Sequence, residues 1–267
     1  MANEKMSLMA LACLGQKQEI APAPAIDLQE LVDVYNRLAE VQAETGGTVQ
    51  YRVKIPSGGG KAFDILTGDE EMDTSVPTFA GVILYHHRCN ARFDEAMSGN
   101  TPPLCSSVDG KSGFEVETGA VHRCAGCQYN EYGSSAKGRG KACKNMHRLY
   151  IMTPGVSVPL VLCLPPTSLK GVQTYLANTL AVRQLRPEEV LTEFSIAVAQ
   201  NSDGIKYSVV KFKLLGKLEE SDRAAAQVLA DAMKRAAANV GIDAEDYNRR
   251  AAEPSMDVEP DPEDFAK

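Results

Sequence analysis

The sequence predicts an α+β fold with a small OB-type β-barrel at its core. The first observation is a set of segments in which apolar and polar residues alternate, with the period of a half-buried strand. The second is the order of elements, because five such segments precede a helix and a β-hairpin follows it. This order is the one expected of an OB-like β-barrel core. A different α+β sheet has the same order of elements, so the sequence leaves both open.

Seven strands are predicted, from this alternation and from β-rich runs bounded by turn residues. In the first of them, the apolar residues from Val49 to Ile55 alternate with polar residues, so one side of the strand faces a core. The last two strands are separated by Asn-Ser-Asp-Gly at 201–204, a sequence typical of a hairpin turn. The predicted strands are 48–55, 62–66, 79–87, 147–152, 160–164, 190–199 and 205–215.

Three helices flank the predicted barrel. Asp27 and Glu30 form a capping-box-like pattern at the start of the first helix, which ends at the glycine pair 46–47. The second helix, 168–182, follows a Pro-Pro-Thr sequence, and the third, 219–240, is rich in alanine and amphipathic.

The chain is predicted to form one folded domain with two extensions. Its 267 residues, 44 % of them hydrophobic, are enough to fill a core. Residues 1–25 are predicted to be a flexible N-terminus, because their Ala-Pro-Ala-Pro run disfavours helix. Residues 26–252 form the OB-like domain, with an insertion at 89–148. The acidic tail, 253–267, is predicted to be disordered because it holds too little apolar surface to fold alone.

Charge is unevenly distributed along the chain. The formal net charge is −7, which argues against a protein coated in Lys and Arg. Residues 121–148 nevertheless contain six Lys or Arg and one Glu, whereas residues 253–267 contain six Asp or Glu and one Lys. Such asymmetry indicates a polyanion-binding segment with an acidic tail.

Four cysteines in the insertion predict a metal site. Cys105, Cys124, Cys127 and Cys143 have the spacing C-x18-C-x2-C-x15-C. The close pair can present two thiolates to one tetrahedral ion, and the outer pair would complete a closed structural Zn²⁺ site. A segment of this length with little periodicity needs a stabilising cross-link. A zinc ion would supply it, so we predict a zinc-ribbon-like insertion.

Two alternatives to this ligand set remain open. Cys89, His122 or His147 could replace one of the outer cysteines, because only the close spacing is diagnostic. The cysteines could instead be buried thiols or a redox pair. A catalytic zinc is not indicated, because the His86-His87 pair lacks the His-x-Glu pattern of zinc deaminases.

Aromatic and basic residues around the cysteines predict contact with a nucleic acid. Aromatic rings stack on bases, and Lys and Arg neutralise phosphates without reading sequence. A solvated charged loop would have the same composition. The candidate residues are His86, Arg88, Arg92, Arg123, Tyr129, Tyr132, Lys137, Arg139, Lys141, Lys144 and Arg148.

Five motifs are distinctive: Tyr85-His86-His87-Arg88, Pro-Pro-Leu-Cys-Ser-Ser-Val-Asp-Gly at 102–110, Cys-Ala-Gly-Cys at 124–127, Gly-Arg-Gly-Lys-Ala-Cys-Lys-Asn at 138–145 and Leu-Pro-Pro-Thr-Ser at 164–168. Together they resemble phage and prophage proteins regarded as single-stranded-DNA-binding-like, over about residues 78–215. The resemblance implies a role in phage replication or recombination, with the cysteines as metal ligands and the cationic segment on the DNA surface. The tail is similar to acidic, phenylalanine-bearing phage tails that recruit partner enzymes, although Ala266-Lys267 follows its Phe265.

The sequence therefore predicts a non-enzymatic single-stranded-DNA-binding protein of the phage type. Its seven cysteines and lack of a convincing signal peptide favour the cytoplasm, that of the host cell if the protein is phage-encoded, and no membrane partner is expected. Replication or recombination enzymes are the partners implied for the tail, and a homo-oligomer is compatible with the sequence. One rival is a phage interaction protein that engages a host complex. Another is a metal-dependent nucleic-acid enzyme using the acidic residues 69–73.

Overall fold

The computed structural model describes residues 28–45, 51–94, 101–136, 140–154, 156, 158–201, 204–237 and 241–242. These residues contain three α-helices and eleven β-strands. The helices are α1 (Leu28–Thr45), α2 (Pro166–Thr174) and α3 (Glu220–Ala237). The strands are β1 (Tyr51–Lys54), β2 (Phe63–Leu66), β3 (Thr74–Val76), β4 (Thr78–Arg92), β5 (Cys105–Ser107), β6 (Ser112–Glu115), β7 (Val121–Arg123), β8 (Cys143–Met152), β9 (Leu160–Leu164), β10 (Val190–Gln200) and β11 (Lys206–Lys217).

The strands form one large mixed sheet. Its main path runs β3-β2-β1-β9-β8-β4-β5-β6-β7, and the hairpin β10–β11 joins it at β4. β1 and β9 are parallel, whereas the other pairs are antiparallel. Each of the seven predicted strands overlaps an observed strand, and β3, β5, β6 and β7 are additional.

β4 is the central strand of the sheet. β8 pairs with it along one edge, from Val82 opposite Met152 to Arg92 opposite Cys143. The other edge is shared, because β10 pairs with Thr78 to Gly81 and β5 pairs with Asn90 to Arg92. A β-bulge at Leu84 interrupts the register with β8. The bulge adds one residue to β4, so the alternation of its side chains shifts at this point.

The prediction of an OB-like barrel is wrong, because the sheet is open. Closure would require the strands at its ends to pair with each other. Within the described residues, β11 pairs with β10 alone, and β10 pairs with β4 in the middle of the sheet. The hairpin therefore branches from the sheet. It still reaches the β1–β2 connection, where the Ser208 hydroxyl donates to the Gly60 carbonyl at 2.9 Å.

α1 and α3 cover one face of the sheet. Val82 and Leu84 of β4 pack with Tyr150 and Met152 of β8, and α3 contributes a row of small and aliphatic residues that includes Leu229. Alanine in α3 lets the helix approach the sheet closely. Burial of such apolar area supplies most of the stabilisation, at about 25 cal/mol per Å². Val41 of α1 is 51 % exposed.

α2 and the hairpin β10–β11 cover the opposite face. Ile83, Leu149 and Ile151 of the sheet pack against Val172 of α2 and Phe194 of β10. The predicted helix 168–182 is not regular, because α2 continues into a π-helical segment, Tyr175–Leu180, and a 3₁₀ turn, Ala181–Arg183.

The predicted insertion 89–148 is not a separate unit. β4 continues to Arg92 and β8 begins at Cys143, so both strands run into the segment. β5, β6 and β7 then extend the sheet from the edge of β4. The insertion is therefore a polar extension of the main sheet with a loop folded over it.

No helix in the described part of the chain is long and apolar enough to cross a membrane. The predicted N-terminal segment 1–25 and the tail 253–267 lie outside the described residues.

Candidate metal centre and polar face

Two of the four cysteines lie on either side of Arg92. Arg92 of β4 pairs in register with Cys105 of β5 on one side and with Cys143 of β8 on the other. Directly opposite residues of neighbouring strands point to the same face of a sheet. Cys105, Arg92 and Cys143 therefore form one row on one face, which we call the cysteine face.

The close cysteine pair lies in a turn after β7. The Cys124 amide donates to the Lys111 carbonyl at 2.8 Å, which ties the start of the turn to the extension. Gly126 has a φ of 75°, a left-handed conformation that glycine adopts without strain. The Cys127 amide donates to the Cys124 carbonyl at 3.4 Å, and the Asn130 amide donates to the Cys127 carbonyl at 2.8 Å. The chain therefore bends between the two cysteines.

Two of the four thiols have raised pKa values. Burial, together with the charges of Cys124, Cys105 and Cys127, raises the pKa of Cys143 to about 12, while Lys141 opposes them. Burial also raises the pKa of Cys105, as do the charges of Cys124 and Cys127, whereas Arg92 lowers it. The charges of Cys124 and Cys127 act on both Cys105 and Cys143, so the four cysteines lie in one region of the fold.

The gathered thiols do not form a closed metal cage. Among the described residues, no three His, Cys, Asp or Glu side chains are close enough together to hold a metal ion. Four cysteine thiols are nevertheless the donor set of many structural zinc sites. The chemistry of the donors therefore fits zinc, and the sulfur atoms would have to draw closer around the ion.

The three substitute ligands occupy different positions. The Nε2 of His122 is 3.6 Å from the Sγ of Cys105, so His122 lies at the cysteine cluster. The Nε2 of His147 is instead 3.0 Å from the Nδ1 of His86. Cys89 pairs in register with Met146, on the face opposite the cysteine face. Of the three, His122 alone adjoins the cluster.

An asparagine network connects residues 124–136, which we call the cysteine loop, to the sheet. The Nδ2 of Asn145, on β8, donates to the Oδ1 of Asn90 at 2.8 Å and to the Oδ1 of Asn130 at 3.0 Å. The Nζ of Lys141 donates to the Oδ1 of Asn145 at 3.2 Å and to that of Asn130 at 3.4 Å. Asn130 also donates to the Cys124 carbonyl at 3.1 Å. The network joins two strands of the sheet to the turn that holds the close cysteine pair.

Sequence reasoning missed these asparagines as site residues. A signal was available, because Arg88, Asn90 and Arg92 continue the alternation of β4 beyond the predicted end at His87. Extending the strand by this pattern would have placed Asn90 beside the cysteines.

Two exposed tyrosines lie against cations on the cysteine face. The guanidinium of Arg92 is 4.1 Å from the ring centroid of Tyr129, and the Nζ of Lys141 is 4.8 Å from that of Tyr132. The two tyrosines are 36 % and 49 % exposed. Arg92 also forms an ion pair with Glu115 at 3.1 Å. These contacts fix the rings while leaving part of each open to solvent.

The structure separates the other predicted nucleic-acid-binding residues. Arg88 is exposed on the cysteine face, and His86 is half-buried on it. Arg123 is exposed, but it alternates with His122 and therefore lies on the opposite face. Lys137 and Arg139 lie outside the described residues.

Lys144 and Arg148 are buried, with exposures of 3 % and 0 %. The Nη2 of Arg148 donates to the Gly241 carbonyl at 2.9 Å. Their alternation on β8 points both to the face opposite the cysteine face. They are therefore not part of a surface that could contact a nucleic acid.

The acidic residues 69–73 form a self-contained turn. An oxygen of Asp73 accepts from the Thr67 amide at 2.7 Å, and an oxygen of Asp69 accepts from the Glu71 amide at 3.1 Å. These carboxylates cap their own turn, as acidic residues commonly do in loops.

Comparison with known proteins gives no relative of this chain: no family model, no curated protein and no solved structure matches it.

Proposed function

We propose that this chain is a non-enzymatic single-stranded-DNA-binding protein of the phage type, with a structural zinc ion held by Cys105, Cys124, Cys127 and Cys143. The observation that carries the proposal is the pair of cation-backed, exposed tyrosines on the cysteine face. The DNA would lie across the polar end of this face, beyond the part that α2 and the hairpin β10–β11 cover.

The tyrosines supply the stacking surface. Each ring keeps an exposed part, 36 % for Tyr129 and 49 % for Tyr132, with which a base could make contact. Arg92 and Lys141 hold Tyr129 and Tyr132 in this way. Stacking on an aromatic side chain contributes about 1–3 kcal/mol per base and tolerates any sequence.

Cations on the same face supply the phosphate contacts. Arg88 is exposed there, and Arg92 and Lys141 lie beside the two rings. Such contacts release counterions and make affinity dependent on salt. Lys137 and Arg139 belong to the same loop in sequence and are included in the proposal as further contacts.

Zinc would stiffen the loop that presents the rings. Thiolate ligands must lose their protons, and the charges of Arg92 and Lys141 favour the thiolate forms by lowering the pKa values of Cys105 and Cys143 against the effect of burial. The ion itself would perform no chemistry. Thiolates of this kind need a reducing compartment, so the proposal places the chain in the host cytoplasm.

A binding titration with labelled oligo-dT tests the DNA surface. The double variant Tyr129→Ala/Tyr132→Ala should weaken binding by about 5- to 160-fold for each stacked base, the equivalent of about 1–3 kcal/mol. Phe114→Ala is the matched control, because Phe114 is 48 % exposed on the opposite face of the same extension. Equal affinities for wild type and the tyrosine variant, or no binding by wild type at low salt, would contradict the proposal.

Metal analysis of the purified chain tests the zinc site. We expect about one zinc per chain, and loss of the metal in Cys124→Ser/Cys127→Ser. Cys163→Ser is the control, because Cys163 on β9 pairs in register with Arg148 on the opposite face. Zinc retained by the Cys124/Cys127 variant would exclude this ligand set.

The acidic tail, residues 253–267, is proposed to compete with DNA for the face and to dock replication or recombination enzymes. Deletion of the tail should then tighten binding to oligo-dT. An unchanged affinity would remove the competition from the proposal.

A further inference from the structure

We propose that Cys89, Met146 and Cys163 form a second metal site, for a soft monovalent cation such as Cu⁺. The site lies on the face opposite the cysteine face and shares no residue with the proposed zinc site. It goes beyond the proposed DNA-binding function and does not depend on it.

Three neighbouring strands bring the sulfur atoms together. Cys89 on β4 pairs in register with Met146 on β8, and Arg148 on β8 pairs with Cys163 on β9. Met146 and Arg148 are two residues apart on β8, so all four side chains point to the same face. The site is therefore built on three neighbouring, hydrogen-bonded strands in the middle of the sheet's main path.

The sulfur distances match coordination of a single ion. The Sγ of Cys89 is 4.0 Å from the Sγ of Cys163, and the Sγ of Cys163 is 3.8 Å from the Sδ of Met146. Sulfur ligands about 2.3 Å from one ion lie about 3.8 Å apart in a tetrahedral arrangement and about 4.0 Å apart in a trigonal one. The distances from Cys163 to Cys89 and to Met146 are therefore those of ligands around one ion.

Cys89 and Cys163 are too far apart along the sheet to form a disulfide. Cys89 and Cys163 are on β4 and β9, with β8 between them. Strands two positions apart in a sheet are about 9.5 Å apart, whereas a disulfide needs Cα atoms within about 7 Å. The backbone therefore sets a spacing that an ion can bridge and a sulfur–sulfur bond cannot.

The surroundings select a soft cation. Cys89 is 0 % exposed and Met146 is 2 % exposed, among the apolar residues Ala91, Phe93 and Ile242. A thioether is a poor ligand for zinc and a good one for Cu⁺, and an apolar shell excludes competing water. Cys163 is half-buried, which gives an ion a route of entry.

The buried guanidinium of Arg148 would balance the charge of the Cu⁺-loaded site. Two thiolates and one Cu⁺ leave a net negative charge, which is unfavourable in an apolar interior. Arg148 is 0 % exposed and stands opposite Cys163. Its guanidinium would offset that charge.

The test is protection of Cys163 from alkylation in the reduced, zinc-loaded, full-length chain. Cu⁺ is supplied anaerobically from a competing chelator, the protein is treated with iodoacetamide, and each cysteine peptide is quantified by mass spectrometry. We expect one equivalent of Cu⁺ to slow alkylation of Cys163 by at least about tenfold, while Zn²⁺ does not. Cys105 and Cys127 are also half-buried, and their peptides report on the proposed zinc site in the same digest.

Met146→Leu is the matched variant, because it removes the thioether and nearly conserves volume. Protection of Cys163 in this variant should need at least about tenfold more free Cu⁺, since even loss of a supporting residue costs about 10- to 100-fold in metal affinity. Protection equal to wild type in this variant, or a wild-type Cys163 that stays reactive with one equivalent of Cu⁺ present, would overturn the proposal.

A second measurement requires no variant. X-ray absorption of the protein carrying one equivalent of Cu⁺ should show a first shell of sulfur atoms alone, three in number. A shell containing nitrogen or oxygen would assign the ion to a different site and refute the one proposed.

Discussion

Asn145 is the centre of the network that holds the cysteine loop on the sheet, and Asn145→Ala is the most direct perturbation of it. Its side chain makes three hydrogen bonds, at 2.8 Å to Asn90, at 3.0 Å to Asn130 and at 3.2 Å from Lys141. Each contributes about 1 kcal/mol net, and the stranded oxygen of Asn90 adds a desolvation penalty. We therefore expect local anchoring of the loop to weaken by about 2–3 kcal/mol.

Hydrogen exchange followed by mass spectrometry measures this effect where it should occur. Amides of residues 124–136 should exchange about 30- to 160-fold faster in Asn145→Ala, which corresponds to about 2–3 kcal/mol of local opening free energy. Amides of β10 and β11 should be unchanged, because that hairpin branches from β4 at a distance from the network. Asn178→Ala, an exposed position on the π-helical segment, is the matched control.

The comparison should be made in metal-free protein and repeated with zinc. A bound zinc would hold the same loop through Cys124 and Cys127, so it should reduce the difference between wild type and variant. If the loop amides exchange equally in wild type and Asn145→Ala without metal, the network does not anchor the loop and the reasoning is refuted.

Three further predictions concern pH, packing and salt. Burial, together with the charge of His86, lowers the pKa of His147 to about 3, against 6.5 for an ordinary histidine, so the unfolded chain binds more protons between these values. The contribution of His147 to stability should therefore be fully present above about pH 6.5 and fall below it by up to about 1.4 kcal/mol per pH unit; urea titrations of His147→Gln should show a smaller slope, and an equal slope would contradict the assignment. Gly81→Ala should destabilise the fold by about 1–3 kcal/mol in urea, because its Cβ would lie 2.8 Å from the Met152 carbonyl oxygen. Gly241→Ala is the open-space control, and matched stabilities would disprove the crowding. Affinity for oligo-dT should fall about twentyfold between 50 and 200 mM salt if Arg88, Arg92 and Lys141 make three phosphate contacts. Arg88→Glu should reduce the slope of log affinity against log salt concentration by about 0.7, whereas the opposite-face control Arg123→Glu should not.

Element positions could be predicted from the sequence wherever side chains alternate strongly. The runs around β4, β8 and β9 carry enough β-branched and aromatic residues to identify them as strands. The short strands β5, β6 and β7 could not be identified in this way. Segments such as Cys105–Ser107 are polar and resemble loop, and their strand conformation depends on the free edge that β4 offers.

The open sheet could not be predicted, because pairing is a property of distant segments. Nothing within Val190–Gln200 indicates that its partner is Thr78 to Gly81 rather than the first strands of the chain. The π-helical segment has a similar origin. The Tyr175 hydroxyl is 2.7 Å from the Thr192 hydroxyl oxygen of β10, a contact between elements that no local pattern contains.

The candidate metal centre was predictable in part. The C-x2-C spacing identified the turn that holds Cys124 and Cys127, and strand pairing places Cys105 and Cys143 on either side of Arg92. The burial of Lys144 and Arg148 was not predictable from charge alone, because a strand hides alternate residues whatever their polarity.

The bulge at Leu84 places two consecutive residues of β4, Leu84 and Tyr85, on the same face of the sheet. The residues before the bulge pair with β10 and those after it pair with β5, so each half of β4 has its own partner strand on this edge. Removal of Leu84 would make the pairs Ile83–Ile151 and Tyr85–Tyr150 consecutive, so the ladder with β8 would become continuous. Every later pair of this ladder, down to Arg92 opposite Cys143, would then be kept. The bulge therefore lets β4 gain or lose one residue without changing which side chains lie beside the thiols.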